Sequence, residues 1–528
     1  MKIKTNCTDN GNVKMDPRNH FENRKSLNFL IIVCFAIFTF FSACKKDYTF
    51  TVTFNSNGGS TVAAQTITKG EKTTEPDEPT KEGYTFAGWF TDNVFTDKVI
   101  FPFSATSNIT LYAKWLVVNW ISISNPDELN AIRDNLSGNY FLTTDISLAK
   151  YDNWEPIGTD EDNAFTGNLD GNWYKITALS INRPEELYIG LFGCIDNGSV
   201  CNLGIEIASG GVNGGKKYLT GSGFVRGAYV GGIVGVINNS TITNCYSSGN
   251  VTATAATVNA ASGGIAGNVI NSVITNCYGS GNVTATNTKD AFSGGIAGYI
   301  ENSTITNCYS SGNITASLSG GIAGGIASNS VITNCYNSGN ITATYWMLAL
   351  SGGITGYVNN SKINNCYNIG NIDIGNTLTA FCGGISGEVA NNSIITNCYS
   401  TGNITNIVTD SYSGGIIGYL HNSIITSCAA INPIISSTHY AGRIVGYTDG
   451  TEPVISNNFA FYEMQSLGVA FNTNLANHGI SKTLKELQTQ TTYSGAVNGD
   501  GLGGLGWDFT NTWKMPAGGG YPILYWQD

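Results

Sequence analysis

Seven cysteines recur at nearly regular spacing in the middle of the chain, and their chemistry has to be considered first. Successive positions differ by 32, 31, 27, 31, 32 and 30 residues, at Cys245, Cys277, Cys308, Cys335, Cys366, Cys398 and Cys428. Zinc sites draw on ligands in closely spaced pairs, and no histidine falls in this column, so we predict no metal site. Seven cysteines cannot all pair, although disulfides between some of them remain an alternative. We predict that these side chains are small fillers of an apolar core.

Residues for acid–base catalysis are scarce in the same region. Between residues 231 and 450 the acidic residues number at most one per repeat and take different positions within it: Asp290, Glu301, Asp373, Glu388, Asp410 and Asp449. Glycosidase or lyase chemistry needs carboxylates that converge, and so does a calcium site. The chain has four histidines and contains no His-Glu-x-x-His or Gly-x-Ser-x-Gly motif. We therefore predict that the protein is not an enzyme and has no cofactor.

Tyrosine follows the cysteine directly in six of the repeats. We call this column the tyrosine stripe: Tyr246, Tyr278, Tyr309, Tyr336, Tyr367 and Tyr399. In a strand whose cysteine points inward, the next residue points outward. Flat aromatic surfaces can stack on sugars or anchor protein partners, although these rings could also simply stack on one another. Tyr345 and Trp346 form a second candidate, because they lie in a loop whose length varies between repeats.

These columns require a fold that brings equivalent residues together, and the repeat length is typical of a solenoid. Each repeat has a Gly-Gly-Ile-x-Gly stretch, an Asn-Ser turn, a Thr-Ile-Thr-Asn-Cys-Tyr stretch and Gly-Asn-Val/Ile-Thr. Three β-forming stretches separated by Gly, Asn and Ser predict one coil of a right-handed parallel β-helix with three strands. Stacked coils place like residues about 4.8 Å apart.

Three apolar columns are predicted to form the core. The first is Ile233, Ile265, Ile296, Ile322, Ile354, Ile385, Ile416 and Ile444. The second is Ile242, Ile274, Ile305, Ile332, Ile363, Ile395 and Ile425. The third is Val251, Val283, Ile314, Ile341, Ile372 and Ile404. We expect a fourth, mostly apolar column to be core too: Tyr229, Phe292, Leu318, Leu350, Phe381, Tyr412 and Tyr440.

An asparagine precedes the cysteine in six repeats, and we call this column the asparagine ladder: Asn244, Asn276, Asn307, Asn334, Asn365 and Asn397. Stacked amides can hydrogen-bond along the coil axis, and asparagine tolerates left-handed backbone. We predict that the ladder holds a corner of each coil.

The repeats resemble the GLUG motif family of bacterial surface and secreted proteins, as the phrases Gly190-Leu191-Phe192-Gly193 and Gly231-Gly232-Ile233-Val234-Gly235 show. Nine units occupy residues 188–460. The first and last are degenerate, with Leu203 and Asn458 at the cysteine position and Arg443 in place of the second glycine. Degenerate end repeats are typical of solenoids.

Residues 48–115 contain three β-forming segments: 52–55, which the turn Asn57-Gly58-Gly59 follows, 83–90 and 109–115. Together they resemble the Listeria-Bacteroides repeat. The resemblance implies a small β-grasp-like module that serves bacterial surface proteins as a spacer or adhesion element and brings no catalytic residues.

Two further segments are predicted to cap the β-helix, because a solenoid would otherwise expose an apolar core at each end. Residues 116–187 form the N-terminal cap, with a short helix at 126–132. We predict that its carboxylates are solvated, with a calcium site or an acid–base pair as the alternative: Asp145, Asp152, Glu155, Asp160, Glu161, Asp162 and Asp170. Residues 461–528 form the C-terminal cap, in which the aromatic residues act as a lid.

The chain begins with a segment of different character. Arg24-Lys25 precedes an apolar run from Leu27 to Ala43, and Ser42-Ala43-Cys44 follows the pattern at which a bacterial lipoprotein is cleaved and lipidated. Residues 1–43 thus resemble a lipoprotein signal peptide, with Cys44 as the lipidated residue and 44–47 as a tether; a transmembrane anchor is the alternative. Met15 is an alternative start.

The net charge of the chain indicates which classes of partner it can bind. Without residues 1–43 the chain keeps 20 basic and 34 acidic residues, a net charge of −14, so nucleic acid is not an expected partner. We predict a lipid-anchored outer-membrane lipoprotein, surface-exposed and adhesin-like or structural, whose β-helix presents a face to glycans or proteins of a host or neighbouring cell. The alternative is a carbohydrate-active enzyme that resembles the polysaccharide lyases with a β-helix fold.

Overall fold

The computed structural model describes residues 48–117, 119–215, 227–255, 259–286, 290–326, 329–344, 347–375, 377–450, 453–472, 475–497 and 503–527. The chain divides into two compact units between Leu116 and Val117. The predicted signal peptide, the tether, the lipidation site Cys44 and the loop residues Tyr345 and Trp346 lie outside the described residues.

The first unit is a four-stranded sheet. Its strands are Thr49–Asn55, Gln65–Thr68, Tyr84–Phe90 and Ile109–Val117, in the spatial order second, first, fourth, third. The first strand is antiparallel to the second and parallel to the last. Val52 and Leu111 are completely buried, and Phe54 packs edge-on against Trp89 at 4.8 Å between ring centroids. The small β-grasp-like sheet expected here is confirmed.

The second unit is a parallel β-helix, as predicted, but each repeat contributes five short strands instead of three. The bend at Gly-Gly-Ile divides the first predicted stretch, and the Asn-Cys corner divides the second. Sheet 1 contains Tyr188–Ile189, Ala228–Gly231, Ala260–Gly263, Ala291–Gly294, Leu318–Gly320, Leu348–Gly352, Thr379–Gly383, Asp410–Gly414 and Tyr440–Gly442. Sheet 2 contains Phe192–Asp196, Val234–Asn238, Ala266–Ile270, Ala297–Glu301, Ala323–Ile326, Thr355–Asn359, Ser386–Ala390, Ile417–His421 and Val445–Asp449.

The remaining strands form the other sides of the coil. Sheet 3 contains Trp120–Ile123, Asn139–Leu142, Asn168–Asp170, Ser199–Cys201, Thr241–Thr243, Val273–Thr275, Thr304–Thr306, Val331–Thr333, Lys362–Asn364, Ile394–Thr396, Ile424–Thr426 and Val454–Ser456. Sheet 4 contains Tyr246–Ser248, Tyr278–Gly279, Tyr309–Ser310, Tyr336–Asn337, Tyr367–Asn368, Tyr399–Ser400, Ala429–Ala430, Phe459–Phe461 and Ile480–Lys482. Sheet 5 contains Val251–Thr254, Val283–Thr286, Ile314–Ala316, Ile341–Ala343, Ile372–Ile374, Ile404–Asn406, Ile434–Ser437 and Gln465–Gly468. At the N-terminal end, sheets 4 and 5 join through Gly204–Gly214, Lys175–Arg183 and Ile146–Ser147.

The three predicted core columns are confirmed, since every member is at most 1% exposed and all belong to one apolar core that runs from Ile123 to Met464. The expectation for the fourth column is wrong. In the strand Ala228–Gly231 the side chains of Ala228 and Val230 point inward and are fully buried. Because neighbouring strand residues face opposite sides, Tyr229 and its equivalents lie on the outer surface, mostly half-buried.

The N-terminal end of the core is closed by a short helix, as predicted. The α-helix Pro126–Asn130 is capped by the side chain of Asn125 and continues into the 3-10 helix Ala131–Asp134. Its residues Leu129 and Ile132 are fully buried against the core. The rest of the N-terminal cap is itself coiled, because its strands extend sheets 3, 4 and 5.

At the C-terminal end of the core, in the part of the chain that the structure describes, residues 465–472 and 475–482 pack on the last coil. The carbonyl of Asn477, in the 3-10 helix Leu475–His478, accepts a hydrogen bond from the Ile444 backbone at 2.9 Å. Arg443 donates to the carbonyls of Ala460 and Phe461 at 2.8 and 2.7 Å. The degenerate glycine position thus ties the last coil to the strand that follows it.

Candidate ligand-binding face

The corner between sheets 3 and 4 is built by the asparagine ladder, and this prediction is confirmed. Each asparagine has φ between 53° and 55°, a left-handed conformation that suits asparagine. The Nδ2 of each one donates to the Oδ1 of the asparagine one coil earlier, at distances from 2.9 to 3.2 Å. The first of these acceptors is Asn202. The ladder therefore presents a continuous row of amides along one edge of the solenoid.

The cysteine that follows this corner points into the core in all seven repeats, including Cys428, which Ser427 precedes. The seven thiols are free and at most 1% exposed, and the Cys245 Sγ lies 3.2 Å from the carbonyl of Thr243. Burial raises the pKa of the Cys277 thiol well above its ordinary value. Within the described ranges, no group of three or more His, Cys, Asp or Glu residues is arranged to hold a metal ion.

The tyrosine stripe forms the next column, on the outer face of sheet 4. Parallel pairing in register puts each ring above the one before it. Neighbouring ring centroids are 4.8 to 5.0 Å apart, and the ring planes differ by 3° to 10°. The stripe is thus a regular stack of six rings.

The C-terminal half of the stripe is covered by residues 483–497 and 503–527, which pack along the side of the solenoid. This C-terminal segment contains the helices Leu484–Leu487 and Gln490–Ser494 and the antiparallel strands Trp513–Lys514 and Ile523–Leu524. Trp513 lies 6.0 Å from the Tyr399 ring, and the Tyr399 hydroxyl donates to the carbonyl of Pro522 at 2.7 Å.

Two predicted binding residues are therefore not accessible. Tyr367 and Tyr399 are only 4% and 1% exposed, so the expectation that they offer an open surface is wrong. Their rings join a second apolar core with Trp507, Trp513 and Leu524. The aromatic residues expected to form a lid at the end of the coil cover its flank instead, because the stacked rings offer a large flat apolar surface.

The N-terminal end of the stripe remains open. A cavity of about 430 Å³ lies there, lined by Trp173, Asn202, Leu203, Gly204, Asn244, Cys245, Tyr246, Asn276 and Tyr278. Gly204 takes the place of a tyrosine in the column, and a Cβ at this position would come within 2.4 Å of the Tyr246 ring. The cavity combines aromatic rings with the first amides of the asparagine ladder. Tyr309 and Tyr336 lie further along, beside Trp526 at 6.3 and 5.8 Å.

Trp173 was missed by sequence analysis. It follows the Asp170-Gly171-Asn172 turn, is 38% exposed and has φ of 66°, a rare conformation for a bulky residue. Its backbone N–H donates to the carbonyl of Asn202 at 2.9 Å, which fixes the ring beside the stripe. Backbone strain of this kind is often found at functional sites. The feature of the sequence that could have indicated Trp173 is a large aromatic residue directly after a Gly-Asn turn.

A second aromatic surface lies on the outer side of sheets 1 and 2, where the misassigned fourth column meets the tyrosines of sheet 2. Phe381 stacks on Tyr419 at 4.7 Å, and Tyr412 stacks on Tyr440 at 5.1 Å. Tyr440 lies 4.7 Å from Tyr447. These rings form a continuous patch over the last coils.

Charged residues gather beside this patch. Asp449 accepts a hydrogen bond from the Tyr419 hydroxyl and pairs with His421, both at 2.5 Å, and Asp410 pairs with His439 at 3.2 Å. Burial acts to raise the pKa of Asp449, but the bonds from Tyr419 and His421 hold it below its ordinary value. Each of these two carboxylates therefore meets histidine or tyrosine rather than a second carboxylate.

Glu388 is the third carboxylate of this group. Its side chain is half-buried, and burial raises its pKa to about 7, against the opposing influence of His421. The protonated form is therefore favoured in the folded state below about pH 7. The stabilisation relative to an ordinary glutamate is present below about pH 4.5 and is lost as the pH rises through about 7.

We predict that Glu388→Gln raises the melting temperature at pH 8.5 and leaves it nearly unchanged at pH 5. The ionised form costs up to about 3 kcal/mol at high pH, by the value of one pKa unit, and glutamine removes that cost. Thermal melts of both proteins across this pH range test it, with Glu463→Gln as an exposed control. Parallel pH profiles for wild type and Glu388→Gln would contradict the assignment.

Comparisons with known proteins support the two kinds of repeat. Residues 50–114 match the family model of the Listeria-Bacteroides repeat domain, and residues 227–252 and 293–315 match that of the GLUG motif. The chain is thus a parallel β-solenoid that carries GLUG motifs and is preceded by a Listeria-Bacteroides repeat.

Relatives are similar over short stretches. A candidate Gly-rich membrane protein of Evansella cellulosilytica is 43% identical over 76 residues, 14% of this chain and 9% of that protein. A candidate membrane protein of the same organism is 45% identical over 67 residues, 12% and 10% of the two chains. The matches thus span about a tenth of the length of these curated relatives. No helix in the described part of this chain is long and apolar enough to cross a membrane.

Two solved structures are also similar. A candidate immunoglobulin A1 protease from Bacteroides ovatus is 19% identical, with 77% of this chain and 92% of that chain covered and a TM-score of 0.33. A second structure, named IgA1 protease, is 14% identical, with 69% and 23% covered and a TM-score of 0.30. At these TM-scores neither likeness bears on function.

Proposed function

We propose that this protein is a non-enzymatic, adhesin-like protein of the cell envelope that binds a glycan at the open end of its tyrosine stripe. The cavity lined by Trp173, Tyr246, Tyr278 and the asparagine ladder carries the proposal. Aromatic rings offer flat apolar surfaces to sugar rings, while amides can donate to and accept from hydroxyl groups.

The regular spacing favours an extended ligand. Ring centroids of Tyr246, Tyr278 and Tyr309 repeat every 4.8 to 5.0 Å, and the ladder amides repeat with the same coils. A polymer laid along the solenoid axis would therefore meet the same pair of groups at each coil. A protein ligand remains the alternative occupant of this face.

The binding test compares variants on a polysaccharide panel. We expect Tyr246→Ser combined with Tyr278→Ser, and separately Trp173→Ala, to weaken binding of a glycan that wild type retains by about tenfold or more, which corresponds to about 1.4 kcal/mol. Tyr462→Ser, at a site 68% exposed and away from the stripe, is the control. Affinities are measured by titration calorimetry, with melting curves to establish that each variant folds.

Two outcomes would reject the proposal. Undiminished binding by both stripe variants would exclude this face. Release of reducing ends from any polysaccharide would favour the carbohydrate-active enzyme instead.

Lipidation at Cys44 would anchor the chain to the membrane. The names of the relatives, which refer to membrane proteins, support an envelope location. We expect Cys44→Ala to move the protein from the membrane fraction to the soluble fraction, because acyl chains contribute about 0.8 kcal/mol per buried CH₂. Cell fractionation with immunoblotting measures this. A variant that stays in the membrane with residues 27–43 uncleaved would support a transmembrane anchor.

A further inference from the structure

Glu388 interrupts a column of tyrosines on the outer face of sheet 2. Parallel pairing places Tyr357 one coil before it and Tyr419 one coil after it. All three side chains are half-buried. The distance between the flanking positions is two strand spacings, or about 9.6 Å.

Both Glu388 and Tyr357 have an unused binding surface. Among the described residues, no side chain or backbone group donates a hydrogen bond to the Glu388 carboxylate, and no lysine or arginine pairs with it. Tyr357 makes no ring contact within the same ranges, whereas Tyr419 stacks on Phe381. A half-buried carboxylate without a donor is costly, and here it adjoins an aromatic ring without a stacking partner.

The surroundings are acidic. Asp449 and Asp410 lie on the following coils, and their partners in the structure are His421 and His439. The groups that act electrostatically on Glu388 are His421 and Asp449. The whole chain is acidic as well, with a formal net charge of −11. A cationic ligand would therefore complement this site.

We propose that Tyr357 and Glu388 bind the guanidinium group of an arginine side chain presented by a basic peptide segment of a partner protein. A guanidinium group is planar, pairs with a carboxylate through two parallel hydrogen bonds and stacks on aromatic faces. The adjacent carboxylate and ring supply both interactions at once. A lysine ammonium has no plane to stack, so the site discriminates between the two cations. This site is separate from the tyrosine stripe and does not depend on the proposed glycan binding.

Binding is coupled to the proton on Glu388. A bound cation favours the ionised carboxylate, so affinity rises with pH and protons are released on binding below about pH 7. The titratable groups that interact electrostatically with Glu388 are Tyr357 from the preceding coil and Tyr419, His421 and Asp449 from the following coils. These groups are all kept in Glu388→Gln, so any pH dependence that survives in that variant belongs to them.

The test uses titration calorimetry of the full chain at 150 mM salt with an acetylated Gly-Arg-Arg-Gly amide and its lysine counterpart. At pH 8 we expect the arginine peptide to bind at least tenfold more tightly than the lysine peptide, and to weaken about tenfold at pH 6. Glu388→Gln should lose at least tenfold in affinity together with this pH dependence. Tyr357→Ser should weaken binding severalfold, and Tyr357→Phe should restore it.

Glu301→Gln is the matched control, since Glu301 also faces outward in a strand of sheet 2, and it should bind like wild type. The proposal is overturned if the arginine peptide does not bind, if the lysine peptide binds equally well, or if Glu388→Gln binds like wild type. If Glu301→Gln and Glu388→Gln lose equal affinity for the arginine peptide, general surface charge explains the binding. That result also overturns the proposal.

Discussion

Ile274→Asp is expected to unfold the coils around it, whereas Val273→Asp in the same strand should have little effect. Ile274 is 0% exposed within a core column, while its neighbour Val273 is 39% exposed on the other face. A buried carboxylate without a partner costs several kcal/mol, and the lost isoleucine adds about 2 kcal/mol or more. Total stabilities of folded domains are only about 5–15 kcal/mol.

The comparison is made by circular dichroism melting and hydrogen exchange. Because each coil contacts only its neighbours, we expect the loss of protection to centre on the adjacent coils. Equal melting temperatures for Ile274→Asp and wild type would contradict the assignment of the column to the core. A strong effect of Val273→Asp would contradict the assignment of faces.

Trp513→Ala is expected to detach the C-terminal segment from the solenoid. Trp513 is completely buried between Trp507, at 4.6 Å, and Tyr399. Truncation of a buried tryptophan costs about 3–5 kcal/mol, which is large for a segment that contains only short strands and helices. The coils beneath it keep their own backbone pairing, so the solenoid should remain folded.

Limited proteolysis with mass spectrometry measures this detachment. We expect rapid cleavage between residues 483 and 527 in Trp513→Ala and slow cleavage in wild type. The control is Tyr525→Ala, which removes an aromatic ring of the same segment that is 56% exposed. Resistance of Trp513→Ala equal to that of wild type would mean that other contacts hold the segment.

Most of the solenoid could be predicted because the same residue types recur at the same positions in many repeats. One buried isoleucine is weak evidence, but Ile242 and its equivalents recur at the same place in seven repeats, each directly before Thr or Asn. The asparagine ladder was predictable for the same reason, since Asn276 and Asn307 are equivalent residues that can contact each other only if coils stack. Five strands replaced three because Gly-Gly and Asn-Cys bend the chain inside stretches of strong β propensity.

Whether a side chain points into the core or toward solvent was harder to predict than whether it belongs to a repeated column. Tyr229, Phe292 and Leu318 are apolar enough for a core, yet they point outward. Composition did not distinguish them, because the inward positions of the same strand hold small residues such as Ala228. The volume left inside the coil by the isoleucine columns decides which side is core.

The sequence by itself determined that the chain coils, that isoleucine and cysteine fill the interior, and that tyrosines stack outside. Only the tertiary structure decided which tyrosines are available and which charges meet. Tyr399 is buried by Trp513, more than a hundred residues later in the chain, and Asp449 meets His421 from the neighbouring coil. His421 and Asp449 meet because successive coils stack in register, whereas Tyr399 meets Trp513 because a segment outside the repeats packs along the side of the solenoid.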